Sequence, residues 1–162
     1  MLIKTKEITA PKGWALKLYR APIFLYRIGL GGLLGKRFIL LNHVGRKSGS
    51  IHRAVLEVVR YDPGLNEFVI ASGFGERSQW YKNLMLNPQI QIQAGWDQHC
   101  VMATRIPPVE AELEMIDYGH RNPKAASMVA GLIGYTHSGS DGDLRGLSKI
   151  VPLIKLVITS SN

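Results

Sequence analysis

The stretch "QIQIQAG", residues 89–95, alternates polar and apolar side chains strictly. Successive side chains of a β-strand point to opposite faces, so Ile90, Ile92 and Ala94 would share one buried face and the glutamines the other. The run "QHCVMATRI", residues 98–106, follows across a short turn around Trp96 and Asp97. The two runs together predict an antiparallel hairpin with one face against a core.

Four further segments extend this hairpin into a larger sheet. They are "RFILLNHV" (37–44), "RAVLEVVRY" (53–61), "NEFVIAS" (66–72) and "SKIVPLIKLVI" (148–158), the last with a proline that suits an edge or a bulge. Helices are predicted for "QWYKNLML" (79–86), with Ser78 as its N-cap, and for "VEAELEMIDYGHR" (109–121). The run "NPKAASMVAGLIGY" (122–135) predicts a second helix or an irregular segment, and "THSGSDGDLRG" (136–146) predicts a flexible loop. The sum is an α+β plan or a small barrel of about six strands, with helices at its edges.

Length and composition favour one globular domain covering residues 1–162. A single core typically spans about 100 to 200 residues, and 46% hydrophobic with 20% charged residues argues against disorder. Cys100 is the sole cysteine, which excludes a disulfide framework or a thiolate metal site and fits a reducing compartment. The histidines lack metal-ligand spacing, so no metal is expected.

The N-terminal segment, residues 1–35, predicts two short amphipathic helices, at about 13–20 and 23–34. The apolar run "IFLYRIGLGGLLG" (23–35) contains Arg27 and is shorter than the about 20 residues that a membrane span needs. Two roles stay open for these helices. They cover the sheet, or they lie on an anionic membrane surface.

Positive charge is concentrated in the first part of the chain. The net charge is +8, and residues 1–60 hold 12 Lys and Arg against 2 Glu, a local charge of +10. The partner should therefore be anionic: nucleic acid, a membrane surface or a phosphorylated small molecule. The alternative is a solvated basic face. No aromatic-interleaved basic stripe is present, so nucleic acid is not expected.

The most basic stretch, "NHVGRKSGSIHR" (42–53), predicts a phosphate-binding turn between two strands. Glycines allow unusual backbone angles and leave N–H groups free to point at one anion, while arginine adds a planar fork and lysine a point charge. The spacing is not that of a P-loop, and the segment leads to a strand instead of a helix. A basic hairpin turn can also be merely exposed to solvent. The candidate anion-binding residues are Arg46, Lys47, Ser48, Gly49, His52 and Arg53.

A second candidate segment is "ASGFGERSQWYKNL" (71–84), where a strand ends in glycines just before a helix begins. Glycines let the backbone approach a flat ligand, and a helix N-terminus offers free N–H groups. The aromatic pair could flank a ring system or belong to the core. Together the two segments describe a ligand with an anionic tail and a planar head. The candidate residues here are Ala71, Ser72, Gly73, Gly75, Trp80 and Tyr81.

The segments "LLGKRFILLNHVGRKSG", "VIASGFGERSQWYKNLMLNP" and "IQIQAGW" resemble the deazaflavin (coenzyme F420)-dependent nitroreductase and quinone reductase family of the FMN-binding split β-barrel superfamily. The likeness runs from about residue 30 to 105. It implies a split β-barrel of about six mostly antiparallel strands with flanking helices. It also implies that the basic turn holds the phosphate and glutamate tail of the deazaflavin, while the second segment approaches the ring.

The resemblance further implies an oxidoreductase that passes a hydride from reduced F420 to a small electron acceptor, a quinone or another electron-poor molecule. FMN is the alternative cofactor. Other functions left open are a split-barrel FMN or deazaflavin carrier without turnover, and a peripheral polyanion- or membrane-binding module. We expect a cytoplasmic location or a peripheral one at the inner face of the membrane. Monomer and homodimer both stay open.

This chain also departs from the family pattern. The family often has a basic residue after the Ala-Ser pair, where this chain has Gly73 and Phe74. The tyrosine-rich segment that lines the nitroreductase substrate pocket is reduced here to Tyr135, with Tyr118 upstream, so the resemblance does not imply nitroreduction itself. Tyr135 is the candidate catalytic proton donor, with His120 as a second possibility.

Overall fold

A computed structural model of the chain describes residues 1–4 and 22–161. Its strands are β1 (Ile3–Lys4), β2 (Phe38–Val44), β3 (Ile51–Asp62), β4 (Glu67–Ala71), β5 (Gln89–Ala94), β6 (Asp97–Arg105), β7 (Tyr135–Thr136) and β8 (Leu153–Ser161). Its helices are α1, described over residues 22–27, and α2 (Gln79–Leu86), α3 (Pro108–Arg121), α4 (Pro123–Leu132) and α5 (Asp141–Ser148). Short 3-10 helices cover Gly31–Leu34 and Gly75–Arg77.

Six strands close into an antiparallel barrel in the order β2-β3-β4-β8-β6-β5, which confirms the predicted fold. The predicted hairpin is β5 and β6, with Ile92 opposite His99. Ile90, Ile92 and Ala94 point into the barrel and are buried, as their alternation predicts. The interior is filled by residues such as Ile39, Phe68 and Leu156, so the barrel is a packed core and not a channel.

A second core lies between the barrel wall and the helices. Val69 of β4 and Leu153 of β8 pack here against Met115 and Tyr118 of α3 and Leu144 of α5. β4 is therefore buried on both faces, which explains why "FVI" is continuously apolar instead of alternating. The fully buried apolar area of both clusters supplies the main driving force for folding.

The helix predicted for 23–34 is interrupted in the structure. α1 gives way to a turn in which Gly29 has φ +79°, and a 3-10 helix follows at Gly31–Leu34. At this break the backbone packs closely against two aromatic rings. A Cβ at Gly31 would collide with the Tyr26 ring, and one at Gly32 would collide with the Trp96 ring. The helix predicted at about 13–20 lies outside the described residues. Within residues 1–4 and 22–161, none of the helices has the length and apolar character that a bilayer span requires.

The predicted flexible loop at 136–146 is wrong, because α5 begins inside it. Ser140 caps this helix by accepting a hydrogen bond from Asp143 N at 3.3 Å. Leu144 and Leu147 anchor the helix in the second core. Pro152 also differs from the prediction, since it precedes β8 instead of interrupting it.

Candidate functional site

A cavity of about 820 Å³ opens between the β2–β3 turn and the start of α2. Its size lies within the about 300–1,000 Å³ that small-molecule sites occupy. Residues from α1, β2, the turn, β3, the segment before α2 and α2 itself meet in it. The lining residues are Ile23, His43, Gly45, Arg46, Lys47, Ser48, His52, Arg53, Ala54, Val55, Leu56, Phe74, Arg77, Ser78, Gln79, Trp80 and Asn83.

The β2–β3 turn is closed by its own backbone. Gly45 N donates to Ser50 O at 2.8 Å, and Gly49 N donates to Gly45 O at 2.8 Å. Gly49 has φ +69°, which favours glycine. A Cβ at Gly45 would lie 2.5 Å from Ser48 Oγ and 2.7 Å from His52 Nε2. The side chains of Ser48 and His52 can therefore fold over the turn only because Gly45 has no side chain.

Four cationic side chains, Arg46, Lys47, Arg53 and Arg77, line the cavity. No Asp or Glu stands among the lining residues in the described part of the chain. Of the ion pairs found in residues 1–4 and 22–161, none involves these four cations. Their positive charge is thus directed at the cavity without compensation from these residues, which suits a ligand that carries several negative charges.

Asn83 of α2 connects this turn to two histidines. Its Oδ1 accepts from Arg46 N at 3.1 Å and from an Arg46 guanidinium nitrogen at 3.0 Å, and its Nδ2 lies 2.9 Å from His43 Nδ1. The His43 ring stacks on His52 with 5.7 Å between centroids, and His52 Nε2 lies 3.2 Å from Ser48 Oγ. Burial, and then the charge of His52, lowers the pKa of His43, so His43 is neutral at neutral pH.

Part of the cavity lining is aromatic and aliphatic. Phe74, Trp80, Ile23, Val55 and Leu56 contribute to it. These residues line the same cavity as the cations, so one cavity offers both positive charge and apolar surface. That division fits the tail-and-head ligand predicted from the sequence.

The structure brings most of the predicted turn residues into the cavity. Arg46, Lys47, Ser48, His52 and Arg53 line it, while Gly49 shapes the turn without lining the cavity.

Of the residues predicted in the second segment, fewer lie at the cavity. Trp80 lines the cavity, but Ala71, Ser72, Gly73, Gly75 and Tyr81 do not. Ser72 Oγ donates to Gly75 O at 2.6 Å and lies 3.0 Å from Ser78 Oγ, so the segment folds upon itself. Ser78 precedes α2 without the side-chain capping bond that the sequence predicts, and its hydroxyl lies 3.0 Å from Ser72 Oγ instead.

The glycines and the tyrosine of this segment face protein. A Cβ at Gly73 would lie 3.3 Å from Leu132, and one at Gly75 would lie 3.2 Å from Ile150 O. Tyr81 is 5% exposed and belongs to the barrel core.

Both candidate proton donors lie in other elements. Tyr135 forms β7 and pairs with Lys4 of β1, and His120 Nε2 lies 2.7 Å from Asp141 Oδ1 on the surface. Neither residue lines the cavity.

The sequence did not indicate eleven of the seventeen lining residues as site residues, and His43, Phe74, Arg77 and Asn83 are four of these. A signal existed for two of them. His43 continues the inward alternation of Ile39 and Leu41 along β2, and Asn83 follows Trp80 by three residues on the same face of α2.

No cluster of three or more His, Cys, Asp or Glu residues that could hold a metal ion occurs within the described parts of the chain.

Sequence comparison with known proteins finds a family and a relative. A family model described as F420H(2)-dependent quinone reductase matches residues 26–125. A Mycobacterium tuberculosis protein provisionally named an F420H(2)-dependent quinone reductase is 38% identical over 79 residues, which cover 48% of this chain and 65% of that protein.

Solved structures share the architecture. That of an F420-H2 dependent reductase, FDR-A, aligns with a TM-score of 0.53 and 18% identity, covering 76% of this chain and 96% of that one. A pyridoxamine 5'-phosphate oxidase-related, FMN binding protein from Nostoc punctiforme PCC 73102 aligns with a TM-score of 0.57 and 13% identity, covering 94% and 84%. At these identities the likeness establishes the fold, and it confirms the split β-barrel.

Proposed function

Because this chain belongs to the F420H(2)-dependent quinone reductase family, we propose that it binds coenzyme F420 in the cavity beside the β2–β3 turn. It would transfer a hydride from the reduced coenzyme to a quinone-like or other electron-poor organic molecule. The observation that carries this proposal is the uncompensated charge of Arg46, Lys47, Arg53 and Arg77 in a cavity that apolar and aromatic side chains also line.

The side chains present fit such a coenzyme. A phosphate and a carboxylate-rich tail need several cations, hydroxyl donors and no competing acid, which is the composition of the turn side in the described residues. A planar ring needs flat apolar surfaces, which Phe74 and Trp80 provide. The coenzyme, when bound, supplies the hydride chemistry, so the protein needs no catalytic triad or paired carboxylates.

The chain itself would perform two tasks in this reaction. The turn would anchor the anionic tail, and the anchoring energy would fix the position of the ring relative to the acceptor. The apolar part of the lining, which includes Ile23, Leu56 and the aromatic residues, would exclude water from the reacting face. Tyr135 remains the sequence-based candidate for a proton donor, although it stands in β7 and not in the cavity wall.

A charge-matched pair of double variants tests the proposal. Arg46→Ala with Lys47→Ala should weaken binding of oxidised F420 at least about tenfold, or about 1.4 kcal/mol, because it removes two of the four cations. The control is Arg145→Ala with Lys149→Ala, which removes the same charge from α5 and its C-terminal end, away from the cavity. Equal affinity in the two double variants, measured by fluorescence titration, would contradict the proposal.

Turnover separates an enzyme from a carrier. Reduced F420 mixed with catalytic amounts of protein and a water-soluble quinone should be oxidised repeatedly. A carrier would bind the coenzyme without accelerating its oxidation. Parallel titration with FMN tests the alternative cofactor, and we expect F420 to bind more tightly because its longer anionic tail can contact more of the four cations.

For location, we propose a cytoplasmic protein that contacts the inner face of the membrane peripherally. Three large side chains around the N-terminal 3-10 helix support this: Phe24 is 60% exposed, Leu33 70% and Trp96 65%. Arg27, Lys36 and Arg37 are exposed in the same stretch of chain. An apolar surface next to cations suits an anionic bilayer. The protein should therefore co-sediment with phosphatidylglycerol vesicles. Salt should reduce the co-sedimented fraction, and so should the double variant Phe24→Ser with Leu33→Ser.

A further inference from the structure

We propose that His43 is a ligand-binding residue that donates a hydrogen bond from Nε2–H as a neutral imidazole, and that Asn83 is the positioning residue that fixes this tautomer. The acceptor is an oxygen atom of the ligand in the cavity. The identity of that ligand rests on the proposed function, but the tautomer does not.

The orientation of the Asn83 amide follows from Arg46. The Arg46 backbone N–H and its guanidinium group are both obligatory donors, and both lie within 3.1 Å of the same Asn83 side-chain atom. That atom must be the amide oxygen. The amide nitrogen is then the atom that faces His43, and it can only donate.

The tautomer of His43 follows from the amide. Nδ1 of His43 lies 2.9 Å from the Asn83 nitrogen, so Nδ1 must accept and carries no proton. A neutral imidazole then bears its proton on Nε2.

The Nε2–H group has access to the cavity. His43 lines the cavity while being only 6% exposed overall. In the described residues no protein group bonds to its Nε2. This nitrogen is nevertheless not a fully buried atom without a partner, as His99 Nε2 is, so part of its surface is exposed. The free N–H therefore opens toward the space that a ligand would fill.

The surroundings keep His43 neutral. Its ring stacks on His52, and the other charged groups that line the cavity are all cations: Arg46, Lys47, Arg53 and Arg77. Within residues 1–4 and 22–161, no carboxylate lines the cavity to stabilise an imidazolium. Protonation at Nδ1 would also place two N–H donors, those of His43 and Asn83, against each other. His43 is therefore a fixed donor and not a general acid.

Nitrogen-15 NMR of the intact, ligand-free protein at neutral pH tests the tautomer. We expect His43 to show an unprotonated Nδ1 and a protonated Nε2. Asn83→Asp replaces the amide donor by an acceptor, so Nδ1 should become protonated. A merely structural Asn83 would leave the His43 tautomer unchanged between the two proteins, and that result would overturn the proposal.

Two substitutions of His43 test the contact. Gln places an N–H near the position of Nε2, whereas Asn is too short and resembles the Nδ1 side of the ring. We expect His43→Gln to keep F420 affinity within about threefold and His43→Asn to lose about tenfold. Urea denaturation of both variants verifies that they fold, and equal affinity in two folded variants would overturn the proposal.

Two probes identify the acceptor oxygen. A shift of the His43 Nε2–H resonance with inorganic phosphate alone supports a phosphate oxygen, and a shift only with oxidised F420 supports another oxygen of the coenzyme. No shift with either probe, while F420 binds by fluorescence, overturns the proposal. If F420 does not bind, the proposed function fails, and the tautomer and phosphate measurements still decide the role of His43.

Discussion

The β2–β3 turn, residues 45–50, and the segment after β4, residues 72–78, are both glycine-containing connections beside one cavity, yet they use their polar groups differently. The turn points cations into the cavity and leaves them without carboxylate partners in the described structure. The segment after β4 bonds to itself through Ser72, Gly75 and Ser78.

The difference shows how a binding site divides its tasks. The turn carries charge that only a ligand can neutralise, so its contribution belongs to affinity. In the second segment the hydroxyls of Ser72 and Ser78 are satisfied internally, so these two residues contribute to stability and set where α2 begins, while Phe74 and Arg77 of the same segment line the cavity. Substitutions in the two regions should therefore change different measured quantities.

The largest expected effect separates two adjacent aromatic residues of α2. Tyr81→Ala should lower the free energy of unfolding by about 3–5 kcal/mol, because it opens a cavity in the barrel core. Trp80→Ala should cost less stability, since Trp80 is only partly buried, but it should weaken F420 binding. Urea denaturation and fluorescence titration of both variants provide the comparison. A loss of affinity in folded Tyr81→Ala equal to that in Trp80→Ala would show that the two tasks are not divided along this helix.

A pair of serines tests the same division with a smaller change. Ser72→Ala leaves the buried Gly75 carbonyl without its 2.6 Å donor, so unfolding should become easier by about 1–3 kcal/mol. Its F420 affinity should stay within about twofold of the unchanged protein, or about 0.4 kcal/mol.

Ser48→Ala is the matched control in the turn. Its hydroxyl is exposed and bonds His52 and Ser50 N, so its removal should change stability by less than about 0.5 kcal/mol. We expect the affinity for F420 to fall instead. The reverse pattern, with Ser72→Ala losing affinity and Ser48→Ala losing stability, would contradict the assignment of roles.

The sequence predicts the barrel and the turn well because their signals are local. Alternation in 89–95 is a property of neighbouring residues, and the charges of Arg46 and Lys47 cannot be neutralised by anything nearby in the chain. The closed strand order depends on pairings between distant segments, such as β6 with β8, so only the family resemblance predicts it.

The rest depends on contacts that no local pattern encodes. α5 looks like a loop by composition because its glycines and aspartates outweigh Leu144 and Leu147, which packing against α3 stabilises as a helix. The role of Asn83 requires that α2 lie against the β2–β3 turn, 37 residues away in sequence from Arg46. The direction in which the Ser72 hydroxyl points is likewise set by tertiary packing and not by its own residue type.

The smallest expected effect concerns Tyr135, the proton donor that the sequence suggests. It pairs with Lys4 through β7 and packs against the second core, on the side of the molecule that the helices cover. Tyr135→Phe removes the hydroxyl and keeps the ring, so stability should be nearly unchanged. Because the residue does not line the cavity, we expect the rate of quinone reduction by reduced F420 to stay within about twofold, or about 0.4 kcal/mol. Steady-state assays across pH test this prediction. A rate reduced by a factor of about 100 with normal F420 affinity would mean that the acceptor reaches Tyr135 from a position beyond this cavity. The molecule would then have a third region, for proton transfer, besides the ligand-binding turn and the stabilising segment.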